Sequence, residues 1–461
     1  MDKISGLKEI KKQINTVSKS TRDFINSLVD ELSFVETDMF YKNEKDDIKT
    51  GEGVICGYAR ISDSPVFIFA QNFDVLSGGL TSGQAEKIVK CLDSAEKLGY
   101  PVISILSTHG TKFDEGLSSL EGFAKVIAKS SGLYGVVPQI CIIKGDVLGS
   151  MSYYAANCDF VYMLQDSVLC PTSPLVAAAS NNKNNDPKAL FGANTLISKS
   201  GLVSRVCKDQ KELNSDIKKL LDLIEQDNLD ESEAALNKTS EKLNGGYNTE
   251  TIKSEVLDKN TFFEISRGFG DELICGLAKI CGLTVGVILS KDGEDVVLTS
   301  NACKKASKFV RFLDNFDIPL ITFVNIVGIS SDISAIQTSL IKDVANLMSA
   351  ISDSDIPKIA VLCDNVYGIG YTALSSKSVG FNYNFAWANS GINVLAPKIN
   401  CELSADKLRE GKNITKVRQE IIANYQETES NPINAAYRGF VDNIIEPKQT
   451  RAYLMSVLVM F

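Results

Sequence analysis

One stretch of this chain is used twice. Ile55-Cys56-Gly57-x-Ala59-Arg60-Ile61 returns as Ile274-Cys275-Gly276-x-Ala278-Lys279-Ile280, with Cys275 lying 219 residues after Cys56. The same spacing carries Val137-Pro138-Gln139-Ile140 to Ile356-Pro357-Lys358-Ile359, and Gly149 to Gly368. Pro101 in YPVISIL matches Pro319 in IPLITFV one residue short of that register. Four anchors in one order mark a duplication of a single structural unit. The 461 residues are enough for two domains of about 200 residues each.

The texture of each copy gives its class. VICGYARI and VFIFAQN read as a strand pair. PVISIL and PQICIIKG are continuous apolar runs, as expected of strands buried on both faces, and a helical stretch separates them. That alternation is the pattern of an α/β unit. Residues 1–45 read as a helical segment, since Phe24, Ile25, Leu28, Val29 and Leu32 share a face behind a possible cap at Ser20-Thr21. The expected layout is this segment, a first α/β half over 46–204, a helical acidic connector over 205–260 broken at Gly245-Gly246, and a second half over 261–461.

Composition excludes several functions. The net charge of −9 disfavours a grip on nucleic acid or on an anionic membrane. No apolar run reaches the roughly 18 residues of a membrane span. The opening MDKISGLKEIKKQ has charges where a signal peptide needs an apolar core, so a cytoplasmic protein is expected. Eleven cysteines are scattered without a Cys-x-x-Cys pair, which predicts buried free thiols in a reducing compartment and no metal site.

In each half the last strong apolar strand runs into a glycine turn and then a small-residue helix, CIIKGDVLGSMSYYAA and AVLCDNVYGIGYTALSS. Such a junction directs backbone N–H groups into a cleft, where they can stabilise developing negative charge. A purely structural role, with Gly149 and Gly368 only permitting a tight turn, stays open. The single histidine, His109, sits in STHGTKFDEG with no nucleophile elbow nearby, and an exposed or merely packed loop histidine is the plainer reading. No phosphate-binding loop and no biotin-attachment sequence are present.

With these residues in view, the chain resembles the carboxyltransferases of biotin-dependent enzymes, of the propionyl-CoA carboxylase β and sodium-pumping decarboxylase α type. SFVETDMF and GEGVICGYARISDSPVFIFAQNFDVLSGGL resemble that family's opening. KFVRFLDNFDIPLITFVNIVG, YGIGYTALSSK and NPINAAYRGFVDNIIEP resemble its second half. The resemblance implies an α/β fold made of a tandem duplication of a crotonase-like (ClpP/crotonase) β-β-α unit. It also implies transfer of a carboxyl group between carboxybiotin, held on a separate carrier chain, and the α carbon of an acyl-CoA.

By the same resemblance, the N–H groups of Gly149 and Ser150 hold the thioester oxygen, and those of Ile369 and Gly370 hold the ureido oxygen of biotin. Carboxybiotin releases CO₂, the biotin enolate takes the α proton, and the acyl enolate attacks CO₂. Gly78, Gly79, His109, Gly110, Thr111, Lys112, Met151, Gly368, Tyr371 and Thr372 would line the substrates. Implied partners are a biotin carboxyl carrier protein, biotin carboxylase or membrane decarboxylase subunits, acyl-CoA, and further copies of the chain, as a hexamer in which the first half of one subunit faces the second half of another.

The chain departs from the family pattern in places. Ser107-Thr108-His109-Gly110-Thr111-Lys112 stands where the family has Asp-Ser-Gly-Gly-Ala-Arg, and Asn72, Asn325 and Asn382 stand where Asp is common. Ser150, Met151 and Ile369 bring side chains where the family keeps none or a methyl; overpacking of this kind costs about 1–3 kcal/mol in a tight cleft. Two alternatives follow: a degenerate paralogue kept as an assembly subunit, or a crotonase-type hydratase or isomerase. The second needs placed carboxylates, for which Asp114 and Glu115 are the candidates.

Overall fold

The structure, a computed structural model, describes residues 3–41, 51–180, 186–225, 237–404 and 414–461. Parts of the expected layout, namely 42–50, 181–185, 226–236 and 405–413, lie outside the described residues. The chain divides into two compact units, Met1–Leu221 and Asp222–Phe461.

The first unit opens with helices α1 (Lys3–Val17) and α2 (Lys19–Leu28), then strand β1 (Val35–Thr37). Its sheet contains β2 (Val54–Ile61), β3 (Ser64–Gln71), β4 (Val102–Thr108), β5 (Gln139–Leu148), β6 (Phe160–Leu164) and β8 (Arg205–Cys207), and the short β7 (Leu169–Cys170) pairs with β5. The strand order is β1-β2-β3-β4-β5-β6-β8. Helices α3 (Ser82–Leu98), α4 (Leu117–Gly132) and α5 (Met151–Asn157) fill the crossovers.

The second unit repeats this wiring with β9 (Phe263–Ile265), β10 (Leu273–Ile280), β11 (Leu283–Ser290), β13 (Leu320–Ile326), β15 (Lys358–Tyr367), β16 (Tyr383–Trp387) and β18 (Asn443–Ile445) in the order β9-β10-β11-β13-β15-β16-β18. Here β17 (Gly391–Asn393) pairs with β15 as β7 does with β5, and β12 (Val297–Leu298) pairs with β14 (Gly328–Ile329). Strands β2 and β10, and β3 and β11, begin and end 219 residues apart. The duplication read from four anchors is a duplication of the whole sheet.

Burial explains why the central strands are apolar throughout. All seven residues of β4 and all seven of β13 are buried, and each strand lies in the parallel part of its mixed sheet between two parallel neighbours. Each fully buried aliphatic side chain contributes about 1.5–3 kcal/mol. The polar residues inside are bonded to backbone: Ser104 Oγ donates to Ile140 O (3.3 Å) and Thr322 Oγ1 to Leu374 O (2.7 Å).

Individual bonds repeat as well. Phe67 N donates to Pro101 O (2.9 Å), and Gly286 N to Pro319 O (2.8 Å). Gln139 N donates to the Asp159 carboxylate (2.8 Å), and Lys358 N to Asn382 Oδ1 (2.7 Å). Asn382 therefore keeps the acceptor that the first copy takes from an aspartate. Asn72 and Asn325 also use the amide donor, which no ionised aspartate offers. Asn72 Nδ2 reaches Val17 O (3.3 Å) and Asn325 Nδ2 reaches Gly293 O (2.8 Å).

The stretch 205–260 contributes to both units. Strand β8 pairs with β6, while Leu243, Ile252, Val256 and Leu257 join the apolar core of the second unit. All eleven cysteines are buried, and none is in a disulfide. Burial pushes Cys275 and Cys303 up to about 12, which removes the thiolate a nucleophile would need.

The repeated Ile-Cys-Gly motif has a steric cause. A Cβ on Gly57 would lie 2.3 Å from Val35 O, and one on Gly276 would lie 2.6 Å from Phe263 O, so each glycine lets the edge strand close on its neighbour. Gly57→Ala and Gly276→Ala are each expected to cost about 1–3 kcal/mol in denaturant unfolding. Gly245→Ala, with nothing within 4 Å of its Cβ, is expected to shift stability by less than about 0.5 kcal/mol.

A second expectation concerns acid. The Asp258 carboxylate accepts from Gly282 N (2.9 Å) and from Arg451 Nη2 (2.7 Å). Burial pulls its pKa upward, but the backbone bond from Gly282, the Arg451 guanidinium and the Cys281 N–H outweigh it, and the carboxyl titrates below its ordinary value. The sign follows from linkage. A depressed folded pKa contributes stability above the unfolded value near 3.9, and that stability is lost as pH falls through the folded value. Unfolding followed from pH 6 to pH 2 should show a shallower acid loss in Asp258→Asn than in the parent.

Candidate functional site

In the first unit, three loops at the carboxyl ends of β3, β4 and β5 are knitted together by backbone. His109 N donates to Ser77 O (3.0 Å), Leu80 N to Gly110 O (2.9 Å) and Lys112 N to Leu80 O (3.0 Å). Thr108 Oγ1, fully buried, accepts from Gly110 N (3.0 Å) and donates to Gly110 O (3.1 Å). Gly78 is required where it stands: its φ is +67°, and a Cβ would meet Ser107 O at 2.0 Å. Gly79 O accepts from Gln84 Nε2 (2.8 Å). A Cβ on Gly149 would come within 3.2 Å of Gly110 Cα. The fold thus brings Gly78, Gly79, His109–Lys112 and Gly149–Met151 to one place.

Two expectations about this turn change. The Gly149 N–H donates to Cys170 O on β7 (3.0 Å), so it is spent inside the sheet. The donors left at the turn are those of Ser150 and Met151, the first of the α5 segment, which has no earlier turn to bond to. The Met151 side chain is fully buried in the apolar core of the unit, so it does not crowd the cleft, and only its backbone faces the turn. His109 is exposed and packs edge-on against Phe73 with ring centroids 4.8 Å apart. Glu115, one of the two candidate loop acids, caps α3 by accepting from Ser82 N (2.7 Å).

The second unit repeats the turn with the same device. Gly368, with φ +56°, donates its N–H to Asn393 O on β17 (3.0 Å), leaving Ile369 N–H and Gly370 N–H at the start of the helix Ile369–Ser375. A Cβ on Gly370 would lie 2.4 Å from Ile326 Cγ2 and 3.0 Å from Ile326 O, so this position admits glycine alone without a shift of β13. Thr372 N returns to Gly368 O (3.3 Å). Burial pushes the Tyr371 and Tyr367 phenols up, and burial followed by the nearby Glu294 raises Asp364.

Sequence reasoning missed the loop Gly328-Ile329-Ser330. Leu298 pairs with Ile329 as Leu80 pairs with Thr111, and Ser330 N donates to Leu298 O (2.9 Å) as Lys112 N does to Leu80 O. The signal was present in the one-residue-short register of Pro101 and Pro319, which carries Gly110–Lys112 onto this loop.

Each unit therefore offers adjacent backbone donors on a rigid strand–turn–helix frame, with no ionisable side chain needed at the turn. The arrangement suits stabilisation of an oxyanion or enolate oxygen.

Comparison with known proteins gives the family and the fold. The model of the carboxyl transferase domain matches residues 13–460. A propionyl-CoA carboxylase carboxyltransferase subunit of Haloferax mediterranei is 31% identical over 99% of this chain and 92% of its own length. The methylmalonyl-CoA decarboxylase subunit alpha of Veillonella parvula is 30% identical over 99% of this chain and 92% of its own. Among solved structures, transcarboxylase 12S, described as a hexamer with methylmalonyl-coenzyme A and methylmalonic acid bound, superposes with a TM-score of 0.92. It is 26% identical, with 99% of this chain and 94% of that one covered.

One consequence concerns stability. Ser150 Oγ is shielded from solvent and makes no hydrogen bond. Ser150→Ala removes an unsatisfied hydroxyl and keeps the N–H, so its unfolding midpoint should equal or exceed the parent's.

Proposed function

This chain belongs to the carboxyl transferase family, and we propose that it is the carboxyltransferase component of a biotin-dependent acyl-CoA carboxylase or decarboxylase. The observation that carries this reading is the duplicated turn. In each unit a positive-φ glycine spends its N–H on a short neighbouring strand, and the next two N–H groups remain as donors. Two oxyanion-binding turns match a reaction with two enolate oxygens to stabilise, one on an acyl-CoA thioester and one on the ureido ring of biotin.

In this reading, Ser150 N–H and Met151 N–H hold the thioester oxygen while the α carbon gains or loses its carboxyl group. Gly149 contributes by its conformation rather than as a donor. Ile369 N–H and Gly370 N–H hold the ureido oxygen of biotin, a substrate presented by a carrier protein. The loop His109–Lys112, with Gly78 and Gly79 behind it, borders the acyl-CoA side, and Gly368, Tyr371 and Thr372 border the biotin side. Strand-end backbone supplies donors that need no reorganisation as charge develops.

The partners follow from the reaction: a biotin carboxyl carrier protein, with a biotin carboxylase or a membrane decarboxylase subunit to load or discharge it. A hexamer of this chain is the expected assembly, in line with the solved transcarboxylase. The reading also places the protein in the cytoplasm; no helix among the described residues is long and apolar enough to cross a membrane.

Carboxyl transfer from methylmalonyl-CoA or malonyl-CoA to free biotin, measured on the purified protein, tests this function. The decisive variant is Ser150→Pro. Ser150 already has φ −57°, which proline adopts, so the substitution deletes the N–H with little strain on the fold. Loss of one such donor should lower the transfer rate 100- to 1,000-fold, or about 2.7–4 kcal/mol, while Ser150→Ala retains it. Equal rates in parent and Ser150→Pro would remove this turn from the chemistry.

A further inference from the structure

We propose that Tyr425 and Asn393 are positioning residues of the second turn, holding in place the segment against which Gly368 rests. The inference deepens the reading that this turn binds the ureido oxygen of biotin, and rests on it. The two turns are backed differently. A Cβ on Gly149 would meet Gly110 Cα of the loop after β4, whereas one on Gly368 would meet Val394 O at 3.1 Å. Gly368 N also donates to Asn393 O. The second turn thus takes both its acceptor and its support from residues 393 and 394, and is only as well placed as they are.

Those residues are held between a strand and a helix end. Along one side β17 pairs with β15, Gly391 to Asn393 opposite Asn365 to Tyr367. The other side meets the end of the helix Ile414–Thr428 and the two residues after it. Ile392 N donates to Ser430 O (2.7 Å), and Asn393 Nδ2 donates to Glu429 O (3.1 Å). Asn393 Oδ1 accepts from Val394 N (2.7 Å), so one amide side chain serves both the helix end and the segment itself.

Tyr425 closes the other end of the segment. It is buried, and its phenol donates to Leu395 O (2.9 Å). Its own carbonyl accepts from Glu429 N (2.9 Å) and Ser430 N (3.0 Å), which fixes the two carbonyls that face β17. Gly391 permits this approach, since a Cβ there would meet Tyr367 Oη at 2.1 Å and Ser430 O at 3.6 Å.

The first unit has no such staple. Its β7 leads into the helix Pro174–Ser180, and no side chain of the described residues bonds to the backbone of residues 169–173. Loss of the amide or the phenol bond therefore loosens the second turn and leaves the first as it was. Donors aimed at an oxyanion act through preorganisation, so a loosened turn binds its oxygen less well.

The test compares the whole parent protein with Tyr425→Phe and Asn393→Asp. The first keeps the ring and deletes the hydroxyl; the second keeps an acceptor for Val394 N and deletes the donor. Hydrogen–deuterium exchange without ligand reads the amides of Gly368 and Gly149. Gly368 should exchange several-fold faster in both variants, and Gly149 at the parent rate. Transfer from malonyl-CoA to free biotin then reads the consequence. KM for biotin should rise about 2- to 10-fold, the effect of one neutral hydrogen bond, and KM for malonyl-CoA should not move.

Parent-like exchange at Gly368 in both variants overturns the proposal. So does a lower kcat with both KM values unchanged, which a smaller folded fraction alone would give. Absence of transfer in the parent sinks the carboxyltransferase reading and takes the biotin role of this turn with it. Transfer in the parent with Gly368 exchange unchanged in the variants sinks the positioning role and leaves the function.

Discussion

The hydrogen bond from a positive-φ glycine to a two- or three-residue strand fixes this site. Gly149 N–H reaches Cys170 O on β7 and Gly368 N–H reaches Asn393 O on β17, each at 3.0 Å. The bond anchors the end of the longest strand of each unit before the chain turns. Because the glycine then adopts a left-handed conformation, the chain reverses within one residue and starts a helix at once. The next N–H groups are left without carbonyl partners and cannot rotate back into the sheet. The rest of the turn supports that geometry: Gly110 lies against Gly149, Gly370 against Ile326, and the small strand pairs with the end of the long one.

Much of this was legible before the structure. The 219-residue spacing fixed two like units, and the offsets of β2, β3, β10 and β11 follow it residue for residue. Glycine turns at 149 and 368 were visible because only glycine tolerates the required φ. Other features were hidden for physical reasons. That Gly149 N–H is spent depends on Cys170, twenty-one residues later and on a two-residue strand with no periodic pattern to announce it. That Met151 points into the core depends on the helix phase after the turn, which a run of small residues does not set. Strand β1 in the segment read as helical is three residues long, and its pairing with β2 is set by Gly57 across the sheet rather than by its own residues.

The departures from the family pattern look different in three dimensions. Asn72 and Asn325 each join two elements by donating and accepting at once, a task for an amide rather than a carboxylate. Asn382 fills an acceptor role that Asp159 fills in the other copy. Of the three bulky residues at the turns, Met151 is absorbed by the core, while the Ser150 hydroxyl and the half-buried Ile369 side chain remain beside the donors. Side-chain changes at Ser150 and Ile369 leave the backbone N–H groups beside them in place.

The division of labour between the two turns is tested most directly by hydrogen–deuterium exchange of the peptides spanning 148–153 and 367–372, with a non-reactive acyl-CoA thioether and with free biotin added separately. The acyl-CoA analogue should slow exchange in the first peptide and leave the second unchanged, and biotin should do the opposite. Protection of both peptides by one ligand, or of neither by both, would contradict the assignment of one oxyanion turn to each substrate.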